Sequence, residues 1–153
     1  MDQITFSIAS RLDAVPLLGQ FVSAACSYAG LTALEGSQVE VCVVEAVNNS
    51  IKHAYGGNPA HAVELKLSLS SEEIVFDICD SGKSADPAWM HADHHHAFDL
   101  DPDHLERAPE SGRGLAIIQQ VMDSIEYTPG TEKNRFRLVK RLKVAGQAPI
   151  SPS

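Results

Sequence analysis

One short segment, EAVNNSIKHAY at residues 45–55, is crowded with polar side chains, four of which recur at spacings of three and four: Glu45, Asn49, Lys52 and His53. At about 100° per residue, spacings of three and four put them along one stripe of a helix. A carboxylate and an amide one turn apart can hold a divalent cation or its water, and the carboxylate can also orient or deprotonate a nucleophile. Lys52, a turn further on, is placed to meet a phosphate. The same stripe also fits a solvated helix face closed by a Glu45 to Asn49 hydrogen bond. Alone it decides nothing.

Two more segments have chemical content. Asp80-Ser81-Gly82 follows a strand, and a strand leaving a sheet into Asp-x-Gly aims a carboxylate into a cleft, where it can accept a hydrogen bond from an exocyclic amine. Further on, SGRGLAII at residues 111–118 puts Gly112 and Gly114 ahead of an apolar helix. Free N–H groups and the positive end of the helix dipole suit a phosphate there. Each segment also has an ordinary reading, as a strand exit and as a helix start.

The surrounding pattern supplies the elements that must hold these groups. Residues 4–8 alternate and predict a strand. Asp13 is the expected cap of a helix with the stripe Leu17, Leu18, Phe21, Val22, Ala25 and Cys26, closed by Gly30. A second helix is expected from about Ser37 to Ala54, burying Val39, Val43, Ala46, Val47 and Ile51 and ending at Gly56-Gly57-Asn58-Pro59. Val63, Leu65, Leu67 and Leu69, then Ile74, Phe76 and Ile78, alternate at hairpin spacing. Order resumes at Gly114 with a third helix through Leu115, Ile118, Val121, Met122 and Ile125. A last hairpin joins residues 124–128 and 135–142 through Pro129-Gly130. This order predicts an α+β layered domain with helices over one face of a sheet.

Between Ser84 and Ser111 no period survives, and so long an irregular segment inside one domain is unusual. Residues 84–112 hold seven acids (Asp86, Asp93, Asp99, Asp101, Asp103, Glu106, Glu110) against Arg107 alone, within a chain of net charge -8. His91, His94, His95, His96 and His104 also lie here. Imidazoles are common transition-metal ligands. Three adjacent histidines define no geometry, however, and a solvated loop is the preferred reading.

The 153 residues fit one domain, 1–142, with a flexible tail at 143–153. Three dispersed cysteines without C-x-x-C spacing suggest neither a disulfide framework nor a zinc site, and favour a reduced, cytoplasmic setting. No apolar run approaches bilayer length, and no Lys/Arg block suggests contact with nucleic acid.

Together, in this order, the three chemical segments resemble the nucleotide-binding domain of the GHKL superfamily, shared by gyrase, heat-shock chaperone, histidine kinase and mismatch-repair ATPases. EAVNNSIKHAY is similar to its N box, DICDSG to its first glycine box and SGRGLAIIQQVMD to its second. The resemblance spans about Ile4 to Leu142. It is closest to the single-domain anti-sigma factor serine kinases, through the E-A-V-x-N start and the ending GLAIIQQVMDSIEYTPGTEKNRFRLVKRL.

The resemblance implies a two-layer α/β sandwich of the Bergerat type, with a mixed, mostly antiparallel sheet. It implies ATP and Mg2+ as ligands, with Glu45 as general base toward a partner's serine hydroxyl and Asn49 as magnesium ligand. Lys52 would lie near the phosphates and Asp80 against the adenine amine. Gly82 would give room for the base; Gly112 and Gly114 would line the triphosphate, with Leu115 and Arg113 counted in the cofactor site, the arginine either reaching a phosphate or simply exposed; and residues 84–111 would form a lid. The implied substrate is an anti-sigma antagonist, a STAS-domain protein, with a sigma factor as alternative partner of a homodimer. A nucleotide-dependent binding module without kinase activity is the rival reading, and a detached histidine-kinase catalytic domain a third. The sequence departs from the superfamily at Lys83-Ser84, where another glycine is frequent, and at Arg113, where leucine or methionine is. It also has no basic residue between Arg11 and Lys52, so docking through an arginine of the first helix is not expected.

Overall fold

The computed structural model describes residues 2–86 and 110–143. The five histidines from His91 to His104, most of the expected lid and the tail beyond residue 143 lie outside the described residues. The elements run β1 (Asp2–Ala9), α1 (Val15–Tyr28), α2 (Ala33–Asn49), β2 (Ala62–Leu69), β3 (Glu73–Asp80), α3 (Glu110–Val121), β4 (Ser124–Thr128) and β5 (Asn134–Arg141).

The strands form one sheet in the order β1-β2-β3-β5-β4. Every pairing among the described residues is antiparallel, so the parallel pair that a mixed sheet requires is not found there. Strict alternation sends one set of side chains to one face. Phe6, Leu65, Ile78, Phe136 and Tyr127 stand on successive strands in register, as do Ile4, Leu67, Phe76, Leu138 and Ile125. The helices cover this face. Leu18 and Val22 of α1, Val39, Val43 and Val47 of α2, and Leu115 and Ile118 of α3 join Leu65, Phe76 and Leu138 in one core.

The other face carries a ladder of alternating charge, Lys66, Asp77, Arg137 and Glu126 across β2, β3, β5 and β4. At its centre the Arg137 guanidinium donates twice to Asp77, at 2.8 and 2.9 Å. That pairing raises the arginine pKa further above its ordinary value.

Several boundaries differ from the sequence reading. Helix α2 starts at Ala33, four residues before the expected Ser37, because Thr32 and Glu35 close a reciprocal capping box. Asp13 caps nothing; it lies in a 3-10 turn, Leu12–Ala14, ahead of α1. Leu17 and Phe21 are 64% and 47% exposed rather than in the core stripe, since α1 turns Leu18 and Val22 inward instead. Helix α3 begins at Glu110, so Gly112 and Gly114 lie inside it and not ahead of it. Ile125 belongs to β4.

Candidate functional site

The last rung of the β3–β5 ladder sets Asp80 opposite Asn134. Both follow the alternation of Ile78 and Phe136 and so point to the helix side, where they are 8% and 2% exposed. Asn134 Nδ2 donates to Asp80 Oδ1 at 2.8 Å, and the Gly82 N–H donates to the same oxygen at 3.1 Å. Among the described residues Asp80 Oδ2 takes part in no such bond, and Asp80 lines a cavity of about 440 Å³.

The loop leaving β3 is fastened at each step. The N–H of Ser81 donates to the Tyr55 hydroxyl at 2.7 Å and that of Lys83 to the Ala54 carbonyl at 2.9 Å. The Ser84 hydroxyl donates to Asn134 Oδ1 at 2.7 Å, and the Ala85 N–H to the Tyr127 hydroxyl at 2.9 Å. Gly82 is required for want of space: a Cβ there would lie 2.6 Å from the carbonyl carbon of Ala54 and 2.8 Å from its Cβ. This contact presses the strand exit against the end of the second helix.

That end is not α-helical. Ser50–Ala54 form a π turn, in which wider hydrogen-bonded rings advance each residue less around the axis. His53, four residues after Asn49, therefore comes round above it, while Lys52 is carried away. Accordingly Asn49, Ser50, His53 and Ala54 line the cavity, facing Asp80, Tyr127 and Phe136, and Lys52 is exposed and is not among the described lining residues. Gly56 and Gly57, both with positive φ, then turn the chain out of the helix. Asn49 Nδ2 is buried without a hydrogen-bond partner among the described residues. A buried amide left unsatisfied is costly, and a ligand in the cavity would relieve it.

Glu45 stands one turn back along α2, half-buried beneath α3. A Cβ on Gly114 would lie 2.6 Å from its Oε2, so the third chemical segment meets the first through this pair. One turn earlier, burial pushes the Cys42 thiol up to about 12, and Cys26 on α1 up to about 11. Neither thiol is a nucleophile at neutral pH.

The histidine kinase-like ATPase domain family matches residues 8–140, nearly the whole described chain. The chain belongs to that family. The anti-sigma F factor of Oceanobacillus iheyensis is 36% identical over 102 residues, covering 65% of this chain and 64% of that protein. The serine-protein kinase RsbW of Staphylococcus aureus is 26% identical over 146 residues, covering 94% and 91%. Among solved structures, the RsbU and RsbW domains of Rv1364c from Mycobacterium tuberculosis superpose with a TM-score of 0.62 at 11% identity. That likeness covers 92% of this chain and 32% of that one, and it speaks for the fold alone.

Within this histidine kinase-like ATPase domain, the structure brings Asp80 and Asn49 to one cavity and sets Glu45 against Gly114; Gly82 is not among the described lining residues, and its missing side chain makes room for Ala54 rather than for a ligand. Leu115 is fully buried in the core rather than at the cavity wall, and Gly112 and Arg113 lie in the first turn of α3. Sequence reasoning missed Asn134, Tyr55 and Tyr127. Their signals were faint, because each works through a partner distant in the chain. An acceptor-only carboxylate and an unsatisfied amide on one cavity fit a nucleotide with its magnesium. Among the described residues no group of three or more His, Cys, Asp or Glu forms a metal cluster of its own, and no helix is long and apolar enough to cross a membrane.

Proposed function

We propose that this chain is an ATP-dependent protein serine kinase of the anti-sigma type, which phosphorylates an anti-sigma antagonist and otherwise holds a sigma factor. The observation that carries the reading is the convergence of Asp80 and Asn49 on one cavity with Glu45 a single turn away. The names of the relatives point the same way. In this reading the adenine amine donates to Asp80, whose other oxygen is held by the Gly82 N–H. Asn49 holds magnesium, which neutralises charge on the phosphates when bound. Glu45 accepts the proton of the incoming serine hydroxyl, and the hydroxyl oxygen attacks the γ-phosphate while ADP departs.

A nucleotide-dependent binding module without transfer is the second reading. Glu45 favours the kinase, since binding alone needs Asn49 and Asp80 but no base. The deciding experiment is a magnesium-dependent ATP titration of wild type, Asn49→Ala and Asp80→Asn, followed by phosphoryl transfer to a candidate antagonist. Weakened binding in both variants and an acid-stable phosphoserine on the partner support the proposal. An acid-labile product would point to histidine phosphorylation instead, and a folded wild type that binds no ATP would overturn the proposal.

A further inference from the structure

An amide side chain has two donor hydrogens and two acceptor lone pairs, and in Asn134 all four are engaged. Nδ2 donates to Asp80 Oδ1 at 2.8 Å and to the Gly82 carbonyl at 3.0 Å. Oδ1 accepts from the Ser84 hydroxyl at 2.7 Å and from the Gly130 N–H at 3.3 Å. The opposite orientation would set an oxygen against a carboxylate and a carbonyl, so the network itself fixes which way the amide points. Asn134 thus ties together three separate stretches: the carboxylate that ends β3, the loop after it and the β4–β5 turn.

The consequence falls on Asp80. Its Oδ1 is occupied twice, by Asn134 and by the Gly82 N–H, and this holds the carboxylate plane with Oδ2, among the described residues, as the oxygen left for a ligand. We infer that Asn134 is a positioning residue for nucleobase selection: by fixing Asp80, it makes the cavity prefer a base that presents an amine over one that presents a carbonyl. The inference rests on the nucleotide reading above and deepens it. An ionised carboxylate is an acceptor only, so adenine, with its 6-amino donor, is attracted, while hypoxanthine sets a carbonyl oxygen against it. Once Asn134 is gone, Asp80 keeps only the Gly82 N–H, turns more readily and rehydrates, and the discrimination relaxes.

The test titrates ATP and ITP, with tripolyphosphate as a phosphate-only probe, against wild type, Asn134→Ala and Asn134→Asp, each checked by thermal melting. Wild type is expected to prefer ATP by about ten- to a hundredfold, the worth of one hydrogen bond to a charged group. Asn134→Ala brings that ratio toward one, through weaker ATP binding, and leaves tripolyphosphate affinity unchanged. Asn134→Asp keeps the shape and sets a second carboxyl against Asp80. The two share a proton in acid and repel once it is lost, so ATP affinity in this variant falls as pH rises. His53, Lys83, Asp86 and Tyr127 line the same cavity in both proteins, so the readout is the difference between the variant and wild-type profiles.

Where Asn134→Ala fails to fold, the isosteric aspartate variant decides. A folded variant that keeps the wild-type ATP to ITP ratio overturns the positioning role and leaves the nucleotide reading standing. A wild type that binds neither nucleotide overturns both.

Discussion

Gly114 lies so close to Glu45 that a Cβ on the glycine would stand 2.6 Å from Oε2 and 3.3 Å from Cδ of the glutamate. The absence of a side chain on α3 is therefore what gives the Glu45 carboxylate its place. The two residues are 69 positions apart in the chain, and packing of α3 on α2 brings them together.

Gly114→Ala should separate stability from chemistry. Alanine favours the helix by about 1 kcal/mol over glycine, which offsets the displacement of a flexible carboxylate. The melting temperature should stay near that of wild type while phosphoryl transfer falls by about tenfold or more, as misplaced catalytic groups do. A melt beside a transfer assay reads both, and equal transfer rates would show that Glu45 tolerates being moved.

Glu45→Gln preserves shape and removes the proposed base. Transfer should drop by roughly a hundredfold or more, with ATP affinity unchanged in a calorimetric titration. Parallel loss of binding and transfer would assign Glu45 to holding nucleotide instead.

Gly82→Ala meets backbone rather than a movable side-chain end, since its Cβ would press on the carbonyl of Ala54. Overpacking of this kind costs about 1–3 kcal/mol. Urea unfolding should show that loss. ATP binding should weaken with it, because the strand exit and the π turn are forced apart.

Asp77 and Arg137 make a second, purely structural prediction. The Asp77 side chain is 6% exposed while that of Arg137 is 37% exposed, so removing the arginine strands a buried carboxylate. Arg137→Ala should destabilise by about 2 kcal/mol. Replacing both residues with leucine should cost much less, and a double-mutant cycle in urea measures the difference.

The capping box gives a pH signature. The hydrogen bond from the Thr32 backbone N–H, with that of its side chain, holds the Glu35 pKa below the ordinary glutamate value. A lowered folded pKa means the contribution is full at neutral pH. It fades as pH falls below the unfolded value and through the folded one. Glu35→Gln keeps an acceptor without the charge, so its unfolding free energy should decline less than that of wild type between about pH 6 and about pH 3. Thr32→Ala should cost about 1 kcal/mol at neutral pH.

Much of this was legible in the order of residues. Alternation in Val63 to Leu69 and Ile74 to Ile78 determined two strands and their inner faces, because a period of two admits one buried side. The α2 stripe of Val39, Val43, Ala46 and Val47 was equally plain, and so was the α+β class. The Thr32 to Glu35 spacing was there to be read and would have placed the start of α2 correctly. The spacing of Glu45, Asn49 and Asp80 marked the candidate site, since each type is tied to a local helix turn or strand exit.

Tertiary structure decided the rest. Whether Lys52 or His53 faces the cavity depends on a π turn, and a smaller rotation per residue in a helix end leaves no mark in composition. Asn134 became part of the site only when β5 paired with β3 and set it opposite Asp80. Gly114 met Glu45 only when α3 settled on α2. Local periodicity fixes which face of an element is buried, but the partner that a polar group finds there comes from a contact between distant segments, and that contact forms only when the core packs.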